Sequence, residues 1–166
     1  MRKLFYLFAL ILCVSCSSGM PNGIDSIKVG DSYKKISGLL ESKNISYNAD
    51  STYVFSAEKQ LVINVENCAA LIVPPYKDLM ILFKDGKAEA VAIHGKNEFA
   101  EAEFNKKKEE FNAAYKKFNV LESDDKYIMT NDTDGVILYL KKRTYSQEIT
   151  LLFGKKNIVT EMLNDL

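Results

Sequence analysis

Apolar residues along this chain change their period several times, and each change marks an element. Over residues 32–43, Tyr33, Ile36, Leu39 and Leu40 fall on one helical face, with Asp31 placed to cap the free N–H groups of the first turn. Gly38 weakens this helix by about 1 kcal/mol relative to alanine, and Asn44 suits the left-handed position after its end. The period then shortens. Residues 45–47, 52–55, 61–65, 69–73, 79–83 and 88–93 are rich in β-branched and aromatic side chains and read as strands. Pro74 and Pro75 stop the fourth of these runs, since proline cannot continue a central strand. Asp85-Gly86 predicts a type I′ hairpin, because both central positions of that turn need positive φ. In the resulting register Leu79, Ile81 and Phe83 share a face with Ala88, Ala90 and Ala92.

A second helical period follows. Phe104, Phe111, Ala114, Tyr115 and Phe118 predict a helix over 98–117 capped by Asn97, with Glu103 and Lys107 as a supporting pair and the charged run 105–110 turned to solvent. Strands resume at 119–122, 127–130, 136–142 and 147–153, punctuated by Asp124-Asp125 and by the polar turn 132–135. A short amphipathic tail spans 158–166. Runs of consecutive strands between helices predict the α+β class: an antiparallel sheet with two helices packed on one face. The order allows two helix-plus-meander units, near 28–94 and 97–154.

The opening of the first helix, Val29-Gly30-Asp31-Ser32-Tyr33-Lys34-Lys35-Ile36 followed by Leu39-Leu40, resembles that of small outer-membrane lipoproteins of the BamE (SmpA/OmlA) type. The related β-lactamase-inhibitor-protein fold uses tandem helix-plus-sheet units. The likeness covers about a dozen residues, and the second unit lacks the Gly-x-Ser start. It implies a binding or scaffolding role in the envelope.

The N-terminus points to the same compartment. Arg2 and Lys3 precede an apolar stretch over 4–14, too short for a membrane-spanning helix of about 20 residues. Ser15 and Cys16 follow, then Ser17-Ser18-Gly19. This resembles a bacterial lipoprotein (type II) signal peptide, although Cys13 stands where such signals usually carry leucine. The resemblance implies cleavage after residue 15 and acylation of Cys16, which makes membrane lipid the first partner. Residues 16–24 then read as a lipidated tether reaching about 18 Å, and residues 25–166 as one α+β domain. Ser17 is not the aspartate that retains enteric lipoproteins at the inner membrane, so the outer membrane is expected in a Gram-negative cell.

Charge narrows the partners. Loss of Arg2 and Lys3 leaves 20 basic against 22 acidic side chains, a net charge of −2. A chain so balanced lacks the clustered basic footprint of a nucleic-acid binder. Cys68 is the remaining thiol once Cys13 is removed and Cys16 acylated, so no internal disulfide is available, and a lone cysteine between two strand-like runs reads as a buried apolar side chain.

The chemistry on offer is sparse. His94 is the only histidine, ends a strand, and has no nearby nucleophile in sequence. One histidine and one free cysteine are too few for a common zinc site. Residues 130–135 approach a calcium loop, but Thr130 and Lys141 stand where aspartate and glutamate are needed. Phosphate-loop, dinucleotide and nucleophile-elbow motifs do not occur. No cofactor and no catalytic set is expected. The sequence reading is therefore a non-enzymatic, membrane-tethered binding or scaffolding domain that engages an envelope protein. An inhibitor or immunity-type protein is the alternative, with Pro74, Pro75 and Tyr76 as its contact loop, and a hydrolase with an unrecognised carboxylate site comes third.

Overall fold

The computed structural model describes residues 19–55, 58–72, 74–96, 98, 100–131 and 135–164. The N-terminal segment read as a signal peptide, Cys16, Asn97 and the 132–134 part of the polar turn lie outside them. The described chain enters through a small hairpin, β1 (Gly23–Ile24) and β2 (Ile27–Lys28), and passes into α1 (Tyr33–Ser42). Four strands follow: β3 (Asn48–Phe55), β4 (Glu58–Val65), β5 (Tyr76–Lys84) and β6 (Lys87–Lys96). After α2 (Ala100–Ala114) come β7 (Asn119–Glu122), β8 (Lys126–Thr130), β9 (Val136–Arg143) and β10 (Glu148–Lys155), and then α3 (Lys156–Asn164).

All eight strands from β3 onward form one antiparallel sheet in the order β3-β4-β5-β6-β10-β9-β8-β7. The seam is β6 against β10, with Ile93 opposite Leu151 and Val91 opposite Phe153. This corrects the predicted class. The chain is mostly β, and it is not an α+β domain with two helices laid on a sheet: three short helices of 10, 15 and 9 residues attend one eight-stranded sheet.

Nor do all three helices share a face. Ile36 and Leu40 of α1 and Phe104 of α2 pack with Ile63, Ile81, Phe83, Leu138, Leu140 and Leu151 on one side. Ile158 and Val159 of α3 pack with Val62, Leu82, Ala90, Ile137, Tyr139 and Leu152 on the other. The reason is visible in β9 and β10, whose Ile137-Leu138-Tyr139-Leu140 and Leu151-Leu152-Phe153 runs are continuous, not alternating. Strands buried on both faces read that way. Gly154 lets α3 settle closely, because a Cβ there would lie 3.3 Å from Ala90 Cβ and press on Val159.

Several local expectations change for identifiable reasons. Ser32 caps α1: its Oγ accepts the Lys35 N–H at 3.2 Å. Asp31 instead accepts the Lys28 N–H at 2.9 Å and binds the Lys35 ammonium at 2.6 Å. Asn44 takes the left-handed conformation (φ 54°) after the helix, as read from the sequence. Residues 45–47 are not a strand; the Ile45 N–H bonds back to the Leu40 carbonyl at 2.9 Å. Residues 69–72 are turns, with the Leu71 N–H on the Cys68 carbonyl at 2.9 Å. In α2 the Glu103–Lys107 pair gives way to Lys107–Glu110 at 2.7 Å, and Ala114 is exposed.

The β5–β6 turn has positive φ at Asp85 (51°) and Gly86 (72°), as a type I′ turn requires. A bulge between Leu82 and Phe83 then shifts the register. Phe83 faces Ala88, but Ile81 faces Val91 and Leu79 faces Ile93. Ala90 and Ala92 therefore lie on the opposite face, against Leu82 and Met80. A single extra residue in one strand moves every later side chain across the sheet.

Candidate functional site

The segment singled out as a contact loop is largely built into the body. The Cys68 N–H bonds the Lys77 carbonyl at 2.7 Å, and the Asn67 N–H bonds Asp78 Oδ1 at 3.1 Å. The backbone at Pro75 runs so close to Gly95 that a Cβ on Gly95 would lie 2.7 Å from the Pro75 carbonyl carbon. Pro74 is exposed and Pro75 half-buried, but Tyr76 is only 3% exposed and belongs to the main core. Its hydroxyl is buried without a hydrogen-bond partner among the described residues. Burial, with Glu103 and Glu110 nearby, pushes the phenol well above its usual range. Of the three proposed contact residues, Pro74 alone stands fully in solvent. Cys68 is buried and its thiol is raised by burial, as an inert core cysteine would be.

The sheet brings together one set of residues that lie far apart in sequence. Asp78, His94 and Thr150 are cross-strand neighbours on β5, β6 and β10. His94 Nδ1 lies 3.0 Å from Thr150 Oγ1. Asp78 Oδ1 already accepts the Asn67 N–H, and the row lies on the open strand surface, where each member is half-buried. Glu148 sits one step away, its carboxyl held below the usual range first by the Ser146 hydroxyl at 2.8 Å and then by His94 and Arg143. The contact made by the His94 ring with Thr150 is that of a cross-strand pair.

The more developed surface lies at the far end of the sheet. Lys142 on β9 has a side chain only 10% exposed, and its ammonium meets Glu101 of α2 at 2.8 Å. Lys108 meets Glu122 of β7 at 3.3 Å. Both ammonium groups approach the Phe104 ring, at 5.3 and 5.5 Å from its centroid, within cation–π range. With Asn105, Ser123 and Asp124 these groups line an open polar groove of ≈ 510 Å³. Both of its ammonium groups are matched by carboxylates of the chain, which suits a polar rim more than a reaction centre.

Beside the groove runs β7. It ends the sheet, pairs only with β8, and all four of its residues are exposed. Val120 is 42% exposed and Leu121 70%. Leu121 also completes an apolar row across the α3 face: Leu152, Tyr139, Ile128 and Leu121 are successive cross-strand partners. The row starts buried beside α3, is half-buried at Ile128, and reaches solvent at the edge. Sequence reasoning placed 119–122 as a strand but missed that it is the edge; pairing order is not written in a strand's own residues.

Two further observations bound the chemistry. Among the described residues, no cluster of three or more His, Cys, Asp or Glu side chains could hold a metal. No described helix is long and apolar enough to cross a membrane. Comparison with known protein families, curated proteins and solved structures gives no match to this chain.

Proposed function

We propose that this protein is a membrane-tethered, non-enzymatic binding or scaffolding domain of the cell envelope, held by an acylated Cys16 and engaging an envelope protein through the β7 edge. The observation that carries the binding role is the apolar row from Leu152 to Leu121 that emerges at an unpaired edge strand. An edge strand offers a ladder of free N–H and C=O groups to an extended segment, and Val120 and Leu121 add side-chain contacts on its two faces. The matched ion pairs of the adjacent groove supply a polar rim. Support for the tether comes from the n-region, the short apolar stretch and Cys16 itself. The likeness of residues 29–40 to BamE-type lipoproteins points to the same compartment.

Two measurements test the proposal. Metabolic labelling with a palmitate analogue tests the anchor; unchanged labelling and fractionation in Cys16→Ser would remove it. A photo-crosslinker at Leu121 tests the edge. One discrete envelope partner, lost in Val120→Pro while the fold is retained, is expected. Equal capture from a crosslinker at Pro74 would favour the inhibitor reading, whose contact residue is the exposed tip of the 66–75 segment.

A further inference from the structure

We propose that the face formed by the β1–β2 hairpin and the segment after α2 lies against the bilayer, with Lys28, Lys116 and Lys117 on anionic lipid headgroups. The inference rests on the lipid-anchor reading and adds an orientation to it.

The argument starts from where the folded body begins. Residues 16–24 read as a tether, but Met20 is 7% exposed and packs in the main core. The Asn22 carbonyl accepts the Val29 N–H at 2.8 Å, and Gly23 and Ile24 pair with Lys28 and Ile27. Only residues 17–19 therefore separate Cys16 from the packed Met20. Fully extended, the chain from Cys16 to Met20 spans at most about 14 Å. An acylated cysteine sits at the headgroup level, so the surface around Met20 is held within roughly a Debye length or two of the lipid charges.

That surface has a composition suited to its position. A shallow groove of ≈ 420 Å³ joins residues 19–25 and Lys28 to Tyr115. Tyr115 and Phe118 are half-buried, packed against the core and against each other at 6.1 Å between ring centroids. Lys116 and Lys117 between them are exposed, as is Lys28. Asp25 is the acidic side chain lining the groove, and residues 111–115 before the lysines carry no charge. Lys28 lines the groove, and Lys116 and Lys117 directly follow its Tyr115 in sequence; the acidic neighbours are Asp25 in the lining and Asp31, which accepts the Lys28 N–H at 2.9 Å and is paired with Lys35, so positive charge is in local excess. Aromatic rings flanked by lysines are what an interfacial surface presents. The ion pairs of α2 and β7 are made by Lys106, Lys107 and Lys108 and not by these lysines.

The test uses the processed protein purified from membranes and returned to vesicles of phosphatidylcholine alone or with 30 mol % phosphatidylglycerol. Intact mass reads acylation first; an unmodified Cys16 overturns the anchor reading and this inference together. With acylation present, hydrogen exchange is followed in peptides covering residues 19–28 and 115–119. The expected result is slowing of about fivefold or more on anionic over neutral vesicles, since each lysine near such a surface contributes about that factor. The effect should fade in 1 M salt and disappear in Lys116→Glu/Lys117→Glu, which keeps its acylation and melting temperature. Acylated protein that shows no protection there, or shows it at other surfaces, overturns the orientation and leaves the anchor standing.

Discussion

Replacing Tyr76 by phenylalanine should stabilise the protein. The ring is 3% exposed and packs in the core, while its hydroxyl has no partner among the described residues. A buried, unsatisfied polar group costs about 1–3 kcal/mol of lost hydration. Tyr76→Phe deletes the oxygen and keeps the ring contacts, so a net gain of about 1 kcal/mol is expected, or roughly 2–4 °C in Tm for a domain of this size. Urea unfolding followed by circular dichroism would show a higher midpoint at constant slope. The pH dependence gives a second reading. Burial raises the phenol's folded pKa above its unfolded value of about 10. The folded state therefore holds this proton more tightly, and the associated stability is complete below about pH 10 and is lost as pH rises toward the folded value. Tyr76→Phe should make the alkaline decline shallower, with Tyr127 and Tyr139, also raised by burial, retaining their share. Destabilisation by more than about 0.5 kcal/mol, or an unchanged alkaline limb, would refute the view of Tyr76 as a core residue with an orphan hydroxyl.

Three other outcomes follow from the same geometry. Gly95→Ala should cost more than about 3 kcal/mol or prevent folding, because its Cβ would meet backbone at Pro75 and, at 2.9 Å, Tyr76 Cα, neither of which is a flexible side chain; a Tm within 2 °C of the parent, on the scale of about 2–4 °C per kcal/mol, would show that β5 and β6 are not so close. Glu101→Gln should cost on the order of 1 kcal/mol, since it leaves the nearly buried Lys142 ammonium with the Phe104 ring and no carboxylate, discounted because Glu101 is 62% exposed; thermal melts in low and high salt check it, the difference shrinking as salt rises. Cys68 should resist a thiol reagent in the native protein and react at the unfolding rate, because it is 1% exposed and its thiolate is disfavoured by burial; immediate labelling of the folded form would contradict its placement.

Much of the local structure could be read directly from the residues, and the places where reading failed share a cause. The Asp85-Gly86 turn, the edges of β7 and the left-handed Asn44 depend on a few adjacent residues, and each is where the sequence puts it. Residues 69–72 looked like a strand because a short apolar run has no period long enough to distinguish strand from turn. The alanine face of β6 was misassigned because a bulge at Leu82–Phe83 is set by how two strands fit, not by either alone. The role of Tyr76 reversed for a similar reason. A tyrosine after two prolines looks like a loop tip, but Gly95 lets the backbone close on it and the ring is buried in the main core.

By itself the sequence determined the near-neutral charge and the position of most strands and of the helices, since these depend on side-chain chemistry and short-range spacing. Tertiary structure alone decided that eight strands join into one sheet through β6 and β10, that α3 covers the face opposite α1 and α2, and that β7 is left at an edge. It also decided that Met20 is buried and that Lys28 and Tyr115, far apart in the chain, line one groove. Pairing order and burial arise from contacts between residues far apart in the chain. A local pattern fixes what each strand can offer a neighbour but not which neighbour it meets.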